Sequence, residues 1–435
     1  AAKDGDTVKL LDDVVLDKTL IIKDKTITLD LNGKTISNSV DIWNENTYAW
    51  SLISVRDKGN LTIDDTTGGG TLKAKENDCF ALDVYAYDTK NVENTKLTIN
   101  AGNYVGNISA VYAFTGKATI NGGHFSIQQK ESGSDPYRLT LNCYDSSYTA
   151  GRAHITVTGG TFVGFDPANN KAEGEGTSFV PDGYVPKANG DGSYTVVKGT
   201  YVAEYNDTKY TSLQEAIDAA SKQNYGQTEV KLLCNLTITE TIVFAKQYSV
   251  GSVLLNLGGY TLTGEGCRAL QINKGSLYLE NGTVTSTGII NSSSVIRIGS
   301  NEATYNGATP MLYMQKDAKV VAPESYGVTI FGSATRGEKL KVMSNAEIIA
   351  TGPSPAISGN GGANYNTDDR TSGWKAEEII IGENAVISAA NNYAIYHPEC
   401  GTLSIQGGTI SGKGGIQMCS GTLKISGSPT ITAIG

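Results

Sequence analysis

The chain of 435 residues is poor in the residue types that mark several common protein classes. It contains 10 prolines, six cysteines and three histidines, and its formal net charge of −9 leaves no basic excess. No Cys-x-x-Cys pair occurs, so the cysteines predict neither a disulfide framework nor a zinc site. An acidic balance without a run of Lys or Arg argues against nucleic-acid binding.

Long apolar runs are missing as well. No segment is long enough to span a bilayer, and no N-terminal signal sequence is recognisable. Cys400 and Cys419 are the two cysteines that stacked strands could bring together, and buried free thiols are the equally good alternative.

Glycine, in contrast, is abundant at 51 residues, and it punctuates short segments rich in Thr, Ile, Val and Leu. A pattern recurs in which an apolar-x-apolar strand precedes a turn centred on Gly and a second alternating strand. Alternation at period two is the signature of a strand, and Gly supplies the positive φ that a tight corner needs. The copies begin at Leu29, Leu97, Ala118, Ile155, Leu255, Leu277, Leu403 and Leu423.

These copies predict a stacked arrangement. A single copy cannot bury its apolar face, whereas successive copies can form a continuous core and pair their backbone edges. Leu403 and Leu423 are 20 residues apart, which fits one turn of a β-solenoid. An antiparallel sandwich is the competing arrangement, but it would need longer strands joined by two-residue turns.

A larger repeat divides the chain into halves. Three landmarks recur in the same order: Val8–Leu11 matches Val230–Leu233, Leu29–Thr35 matches Leu255–Thr261, and Gly59–Ile63 matches Gly275–Leu279. We therefore predict two tandem related domains, residues 1–199 and residues 200–435.

The junction between the halves carries two signals. Asn189-Gly-Asp-Gly192, flanked by Tyr, Val and Thr, predicts a hairpin near 179–197 that closes the first domain. A strand and a helix over 212–221, begun by the capping box of Ser212 and Glu215, are predicted to cap the second domain. Ala219-Ala220 corresponds to Ala1-Ala2, so we expect the chain to be a piece of a longer protein.

The string Ser212-Leu-Gln-Glu-Ala-Ile-Asp-Ala-Ala220, a Val-Lys-Leu-Leu strand and Leu-Asp-Leu-Asn-Gly-Lys-Thr35 resemble the repeat modules of large bacterial cell-surface proteins. The resemblance implies an all-β fold: a right-handed parallel β-helix (β-solenoid) of the pectate-lyase-like kind, with two tandem related domains and a short capping helix between them. It also implies an extracellular or cell-surface location. It says little about activity, because this class includes polysaccharide lyases, glycosidases, adhesins and phage tail spikes.

No residue pattern predicts a catalytic or metal site. His124, His154 and His397 are isolated from one another in the sequence, and none has a second His at metal-ligand spacing. A glycosidase needs two carboxylates about 5–10 Å apart. The adjacent pairs are Asp12-Asp13, Asp64-Asp65 and Asp368-Asp369, and all three fall near turns, where Asp is favoured for local reasons.

Two segments depart from the strand pattern, residues 41–50 and residues 364–374, and loops on a rigid scaffold often carry binding function. The competing interpretation is that their aromatic side chains fold back as local core. The candidate ligand-binding residues are Trp43, Tyr48, Trp50, Asp368, Arg370 and Trp374.

The favoured function is a non-enzymatic extracellular or cell-surface module, an adhesin or stalk that presents loops to glycans or host proteins. We expect a monomer that needs no cofactor. The alternatives are a carbohydrate-active enzyme of the pectate-lyase-like class and a segment of a phage tail spike or fibre, which would normally trimerise.

Overall fold

The chain divides into two compact units, Ala1–Thr200 (unit one) and Tyr201–Gly435 (unit two). Both are all-β, and most of their strands pair in parallel. The computed structural model describes residues 2–75, 77–129, 138–223, 225–245, 251–288, 293–299, 309–331, 337–359, 378–398 and 401–435.

The described strands of unit one form three sheets, of which sheets A and C share the long strand Val111–Ile120. Sheet A comprises Thr7–Lys9, Thr26–Asp30, Asn60–Asp64, Lys96–Ile99, Val111–Ile120 and Ala153–Val157. Sheet B comprises Val14–Leu16, Thr35–Asn38, Thr71–Lys73, Asn103–Gly106, His124–Ile127, Thr161–Val163 and the antiparallel hairpin of Tyr184–Ala188 and Ser193–Lys198. Sheet C comprises Leu20–Lys23, Ser51–Arg56, Phe80–Tyr85, Leu141–Cys143 and the first half of Val111–Ile120. Short helices lie at Glu45–Thr47, Thr89–Asn94 and Asp145–Thr149.

The described residues of unit two form three sheets and one helix, Leu213–Ser221. Sheet D comprises Ala203–Tyr205, Thr208–Tyr210, Gln227–Leu232, Ser252–Asn256, Ser276–Glu280, Met311–Met314, Lys339–Val342, Glu378–Ile381, Thr402–Ile405 and Thr422–Ile425. Sheet E comprises Leu236–Ile238, Thr261–Glu265, Gly282–Thr287, Ala318–Ala322, Glu347–Ala350, Val386–Ala389, Thr409–Gly412 and Thr430–Ala433. Sheet F comprises Ile242–Ala245, Leu270–Lys274, Ser294–Ile298, Tyr326–Ile330, Ile357–Gly359, Ile395–His397 and Ile416–Met418.

Successive strands visit the three sheets of their unit in turn, and most pair in parallel with their counterpart in the next round. The antiparallel pairs lie in the hairpin of unit one and in the first strands of unit two. Leu403 pairs with Leu423, as their 20-residue spacing predicts. The all-β prediction is confirmed, and the antiparallel sandwich is wrong for the described strands because their sheets are mostly parallel.

The landmarks that repeat between the two halves also occupy equivalent registers. In each unit, the first landmark pairs with the second and the second pairs with the third, through apolar residues that lie on the core side of the sheet. The register partners are Val8, Leu29 and Ile63 in unit one, and Val230, Leu255 and Leu279 in unit two.

A ladder of three aromatic rings lies in the core of unit one, on the inner face of sheet B. Tyr104, Phe125 and Phe162 are register partners on consecutive strands, and each is fully buried. Their ring centroids are 5.0 Å and 4.9 Å apart, close to the spacing of neighbouring strands. The corner before Phe125 is Gly123, with φ +105°, where a Cβ would lie 3.0 Å from the Gly102 carbonyl oxygen. Glycine at this corner therefore lets the strands approach closely enough for the rings to stack.

The helix Leu213–Ser221 packs its apolar face on the core of unit two and satisfies the backbone of a strand. Ser212 caps the helix by accepting a hydrogen bond from the Glu215 N–H. The Gln214 side-chain amide donates to the Val243 carbonyl oxygen at 2.8 Å and accepts from the Val243 N–H at 2.8 Å. A side chain thus supplies the two hydrogen bonds that a neighbouring strand would otherwise give to Val243.

We expect Gln214→Ala to lower the free energy of unfolding by about 1–2 kcal/mol, because it leaves both backbone groups of Val243 without that partner. Gln214→Glu keeps the acceptor and removes the donor, so its loss of unfolding free energy should be intermediate at neutral pH. Urea denaturation measures the loss in both variants. Thr211→Ala, at an exposed neighbouring position, is the control. Equal midpoints for Gln214→Ala and Thr211→Ala would show that the amide contributes nothing.

Candidate functional site

The face of sheet C that points away from the core carries aromatic side chains. Leu82, Val84 and Val111 belong to the core, so the residues that alternate with them point outward. Together with the segment 39–50 that lies over them, the outward-facing rings form one continuous cluster, which we call the aromatic surface. Its members are Trp43, Tyr48, Trp50, Phe80, Tyr85, Tyr87, Tyr112, Phe114 and Tyr144.

The rings of the aromatic surface pack in stacked and edge-to-face pairs. Phe80 and Tyr112 stack with their centroids 4.8 Å apart and their planes only 4° from parallel. The centroid of Trp50 lies 4.3 Å from that of Phe114, and Trp43 meets Phe80 edge-on at 5.6 Å. Such pairs each contribute about 0.5–1.5 kcal/mol beyond area burial. The cluster is therefore held in one arrangement by its own contacts.

The aromatic surface has a buried base and an exposed rim. Phe80 and Tyr112 are buried, and both tryptophans are half-buried against the rings beneath them. At the rim, Tyr48, Tyr87 and Tyr144 expose 40%, 58% and 51% of their surface. Tyrosines that present a ring and a hydroxyl to solvent on a fixed base are well suited to contact a ligand.

The loop that carries Tyr48 is fixed to sheet C by hydrogen bonds. Asn44 and Ala49 pair antiparallel across it, with N–H to carbonyl distances of 2.7 Å and 3.0 Å. The Arg56 guanidinium donates to the carbonyl oxygens of Thr47 and Tyr48. The loop is consequently preorganised, which reduces the entropy lost when a ligand binds.

A carboxyl group lies beneath the aromatic surface. Asp83 is fully buried on the outward face of sheet C, and it accepts hydrogen bonds from the Ser51 hydroxyl and, at 2.7 Å, from the Ser54 hydroxyl. Arg56 donates its Nε–H to the same Ser54 oxygen at 3.0 Å. Desolvation raises the pKa of Asp83 to about 6, although the two serines and Arg56 oppose the rise. The carboxyl group and the loop are thus linked through Ser54 and Arg56.

The structure brings Trp43, Tyr48 and Trp50 together, as one side of the aromatic surface. Asp368, Arg370 and Trp374 lie outside the described residues. Sequence reasoning missed the remaining members of the cluster, which are Phe80, Tyr85, Tyr87, Tyr112, Phe114 and Tyr144. Part of their signal is visible, because Tyr85 and Tyr87, and likewise Tyr112 and Phe114, are two residues apart and can share one face of a strand.

Two acidic groups that sequence reasoning did not single out lie close to the aromatic surface. Glu173 accepts a hydrogen bond from the Cys143 N–H at 2.8 Å, and its second carboxyl oxygen is buried without a hydrogen bond. Desolvation raises the pKa of Glu173 to about 7, and the nearby Asp145 carboxylate adds to the rise. Asp145 directly follows Tyr144, so an acid with a raised pKa and a second carboxyl group lie beside the rim.

The carboxylate pairs named from the sequence have structural roles where they are described. Asp13 accepts a hydrogen bond from the Thr35 N–H, and Asp65 accepts from the N–H groups of Gly33 and Gly70. These hydrogen bonds stabilise turns. The sequence predicts this role, because it places the adjacent Asp pairs near turns. Asp368-Asp369 lies outside the described residues.

The remaining candidates do not converge on a site. His124 and His154 are exposed on different sheets, whereas His397 is buried and its pKa is lowered by desolvation. Among the described residues, no three His, Cys, Asp or Glu side chains are placed to hold a metal ion. Cys419 is a free thiol, and Cys400 lies outside the described residues, so their pairing stays a prediction.

In the described part of the chain, no helix has the length and apolar character needed to cross a membrane. No family model, curated protein or solved structure matches the sequence.

The surfaces of the chain therefore carry the functional inference. The aromatic surface of unit one combines flat rings, hydroxyl groups and a rigid base.

Proposed function

We propose that the chain is a non-enzymatic extracellular or bacterial cell-surface module, an adhesin or stalk, that binds a glycan on the aromatic surface of unit one. The observation that carries the proposal is a preorganised row of rings with three exposed tyrosines at its rim. Ring faces pack on the apolar faces of sugars, and tyrosine hydroxyls exchange hydrogen bonds with sugar hydroxyls. Contacts of this kind recognise a ligand without chemical conversion.

We further propose that each unit winds as a right-handed parallel β-helix. The strands visit three sheets in turn, which is the connectivity such a fold requires. Crossovers between parallel strands are right-handed in about 98% of cases, which supports that hand. A rigid scaffold of this kind suits a stalk, and the resemblance to bacterial surface modules also supports a stalk.

We expect the chain to be a monomer in solution. A trimer in sedimentation analysis would favour the phage tail spike instead.

Removing two of the three rim tyrosines should weaken glycan binding. We expect the double substitution Tyr48→Ala and Tyr87→Ala to reduce affinity at least tenfold for any oligosaccharide that the chain binds on a glycan array, because two ring contacts each contribute roughly 1 kcal/mol. Titration calorimetry with the selected oligosaccharide measures the loss. Tyr225→Ala is the matched control, since Tyr225 is a 79% exposed tyrosine of unit two.

The double variant should keep the circular dichroism spectrum of the parent chain, because the strands beneath the rim are unchanged. Its melting temperature should fall, because Tyr48 and Tyr87 also contact neighbouring rings of the cluster. Unchanged affinity in the double variant would place the glycan elsewhere. Failure of the chain to bind any member of a broad array would overturn the glycan proposal.

A carbohydrate-active enzyme is the second candidate, and Glu173 beside Asp145 is the observation that favours it. An acid with a raised pKa next to a second carboxyl group is the arrangement that glycosidases use. The discriminating experiment is incubation of the chain with the bound oligosaccharide, followed by chromatography of the products. Cleavage that disappears in Glu173→Gln would replace the non-enzymatic proposal, whereas intact oligosaccharide supports it.

A further inference from the structure

A row of polar residues crosses the outward face of sheet F in unit two. Gln271 pairs with Arg297, Arg297 with Thr329, and Thr329 with Ser358. Because Ile272 and Ile298 on the same strands belong to the core, the polar residues point to the other side of the sheet. Parallel strands in register therefore place a line of amide, guanidinium and hydroxyl groups at intervals of about 4.8 Å.

Two arginines lie next to Gln271 in this row. Arg268 donates to the Gln271 side-chain oxygen at 3.0 Å and to the hydroxyls of Ser294 and Ser293 at 3.3 Å and 3.4 Å. The guanidinium carbon of Arg297, the register partner of Gln271, lies 3.8 Å from the centre of the Phe331 ring. Each guanidinium is thus oriented by neutral groups.

The hydroxyl and amide groups around the arginines are themselves fixed. The Gln271 side-chain nitrogen donates to the buried Asn273 side-chain oxygen at 2.8 Å, which turns the Gln271 oxygen towards Arg268. The hydroxyls of Ser294 and Thr329 lie 2.7 Å apart and hydrogen-bond to each other. This network holds the arginines in place before any ligand arrives.

Neither arginine has an acidic partner among the described residues, and both are half-buried. Burial and the neighbouring positive charge of Arg297 lower the pKa of Arg268 to about 10. Buried acids elsewhere in the chain, in contrast, form ion pairs. Glu280, for example, pairs with Lys316 at 3.0 Å, and Asp57 with Lys23 at 3.2 Å.

Two half-buried like charges that have no counter-ion among the described residues destabilise the ligand-free protein. An anion that binds between them removes this penalty, and guanidinium groups match the planar oxygens of carboxylate and the oxygens of sulfate. The surrounding amide, hydroxyl and aromatic groups are those that recognise sugar rings.

We propose that Arg268 and Arg297 form a binding site for an acidic sugar residue, whose carboxylate or sulfate group contacts both guanidinium groups. The site lies in unit two and recognises charge. It is therefore separate from the aromatic surface of unit one, and either proposal can fail without the other.

The test is titration calorimetry of the full chain with three probes at low salt: an oligogalacturonate, a heparin-derived sulfated oligosaccharide and neutral maltohexaose. We expect one or both acidic probes to bind and maltohexaose not to bind at this site, and the two acidic probes distinguish carboxylate from sulfate. In Arg297→Met, affinity for the acidic probe should fall at least tenfold. Arg152→Ala, which removes an exposed arginine of unit one, should leave it unchanged.

A thermal-shift measurement provides a second readout that does not depend on strong binding. Arg297→Met keeps a side chain that can pack on Phe331 and removes an unpaired charge, so the ligand-free variant should melt at or above the temperature of the parent chain. The acidic probe should raise the melting temperature of the parent chain but not of the variant. Absence of binding by both acidic probes, or an equal loss in Arg152→Ala, overturns the proposal.

Discussion

Phe125→Ala should lower the free energy of unfolding of unit one by about 3–5 kcal/mol. Phe125 is fully buried and stacks on Tyr104 on one side and on Phe162 on the other, with ring centroids 5.0 Å and 4.9 Å away. Alanine would remove the middle ring of the ladder and leave a cavity between two rings that the backbone spacing holds apart. The neighbouring strands cannot close this gap without breaking their hydrogen-bonded register.

Urea denaturation of the full chain, followed by tryptophan fluorescence, measures this loss, because Trp43 and Trp50 lie in unit one. His124→Ala is the matched control: His124 is the preceding residue of the same strand and its side chain is exposed. We expect it to change stability by less than about 0.5 kcal/mol. Should Phe125→Ala prevent folding, Phe125→Leu is expected to lose about 1.5 kcal/mol. Equal midpoints for the alanine variants of the two residues would contradict the ladder's role.

Unit one should also become less stable between pH 4 and pH 6 on account of Asp83. The pKa of Asp83 is about 6 in the folded chain, whereas an Asp in an unfolded chain has a pKa of about 4. In this window the folded state holds more protons than the unfolded state, so stability falls as pH rises. The stabilisation is fully present below about pH 4 and is lost as pH rises through about 6, and it amounts to about 2–3 kcal/mol.

Asp83→Asn isolates this contribution from other titrating groups such as Glu173. Asparagine keeps the shape of the side chain, and its amide can still exchange hydrogen bonds with Ser51 and Ser54, but it does not ionise. We therefore expect the stability of the variant, relative to the parent chain, to rise by about 2–3 kcal/mol between pH 4 and pH 7.5. Urea midpoints at several pH values measure the difference. Parallel curves for the two proteins would show that Asp83 titrates at an ordinary pKa.

The strand pattern could be predicted because it depends on neighbours in the sequence. Alternation at period two marks each strand, and the glycine before Phe125 marks a corner. The spacing of Leu403 and Leu423 predicts which strands pair, since successive copies of one pattern bury the same face. The capping helix is equally local, because Ser212 and the spacing of the apolar residues after it define where the helix begins.

The candidate site was only partly predictable. Trp43, Tyr48 and Trp50 stand out because they interrupt the strand pattern, but the rings beneath them lie on later strands. Which rings touch depends on strand register, including the irregularity between Ala113 and Thr115. A one-residue slip would turn every outward ring into the core.

By itself, the sequence determined an all-β chain of short strands joined at glycine corners, with a hairpin near its middle and a helix after it, because these features depend on local periodicity and backbone conformation. Only the tertiary structure decided that aromatic rings share an outward face and that Asp83 is buried beneath them. It also decided that Arg268 and Arg297 both lie next to Gln271, with no acidic partner in the part of the chain that the structure describes. Burial and the approach of charges depend on the register of strands far apart in the chain. The sequence shows that register only where copies of the repeat are regular, and it does not show irregularities such as the one between Ala113 and Thr115.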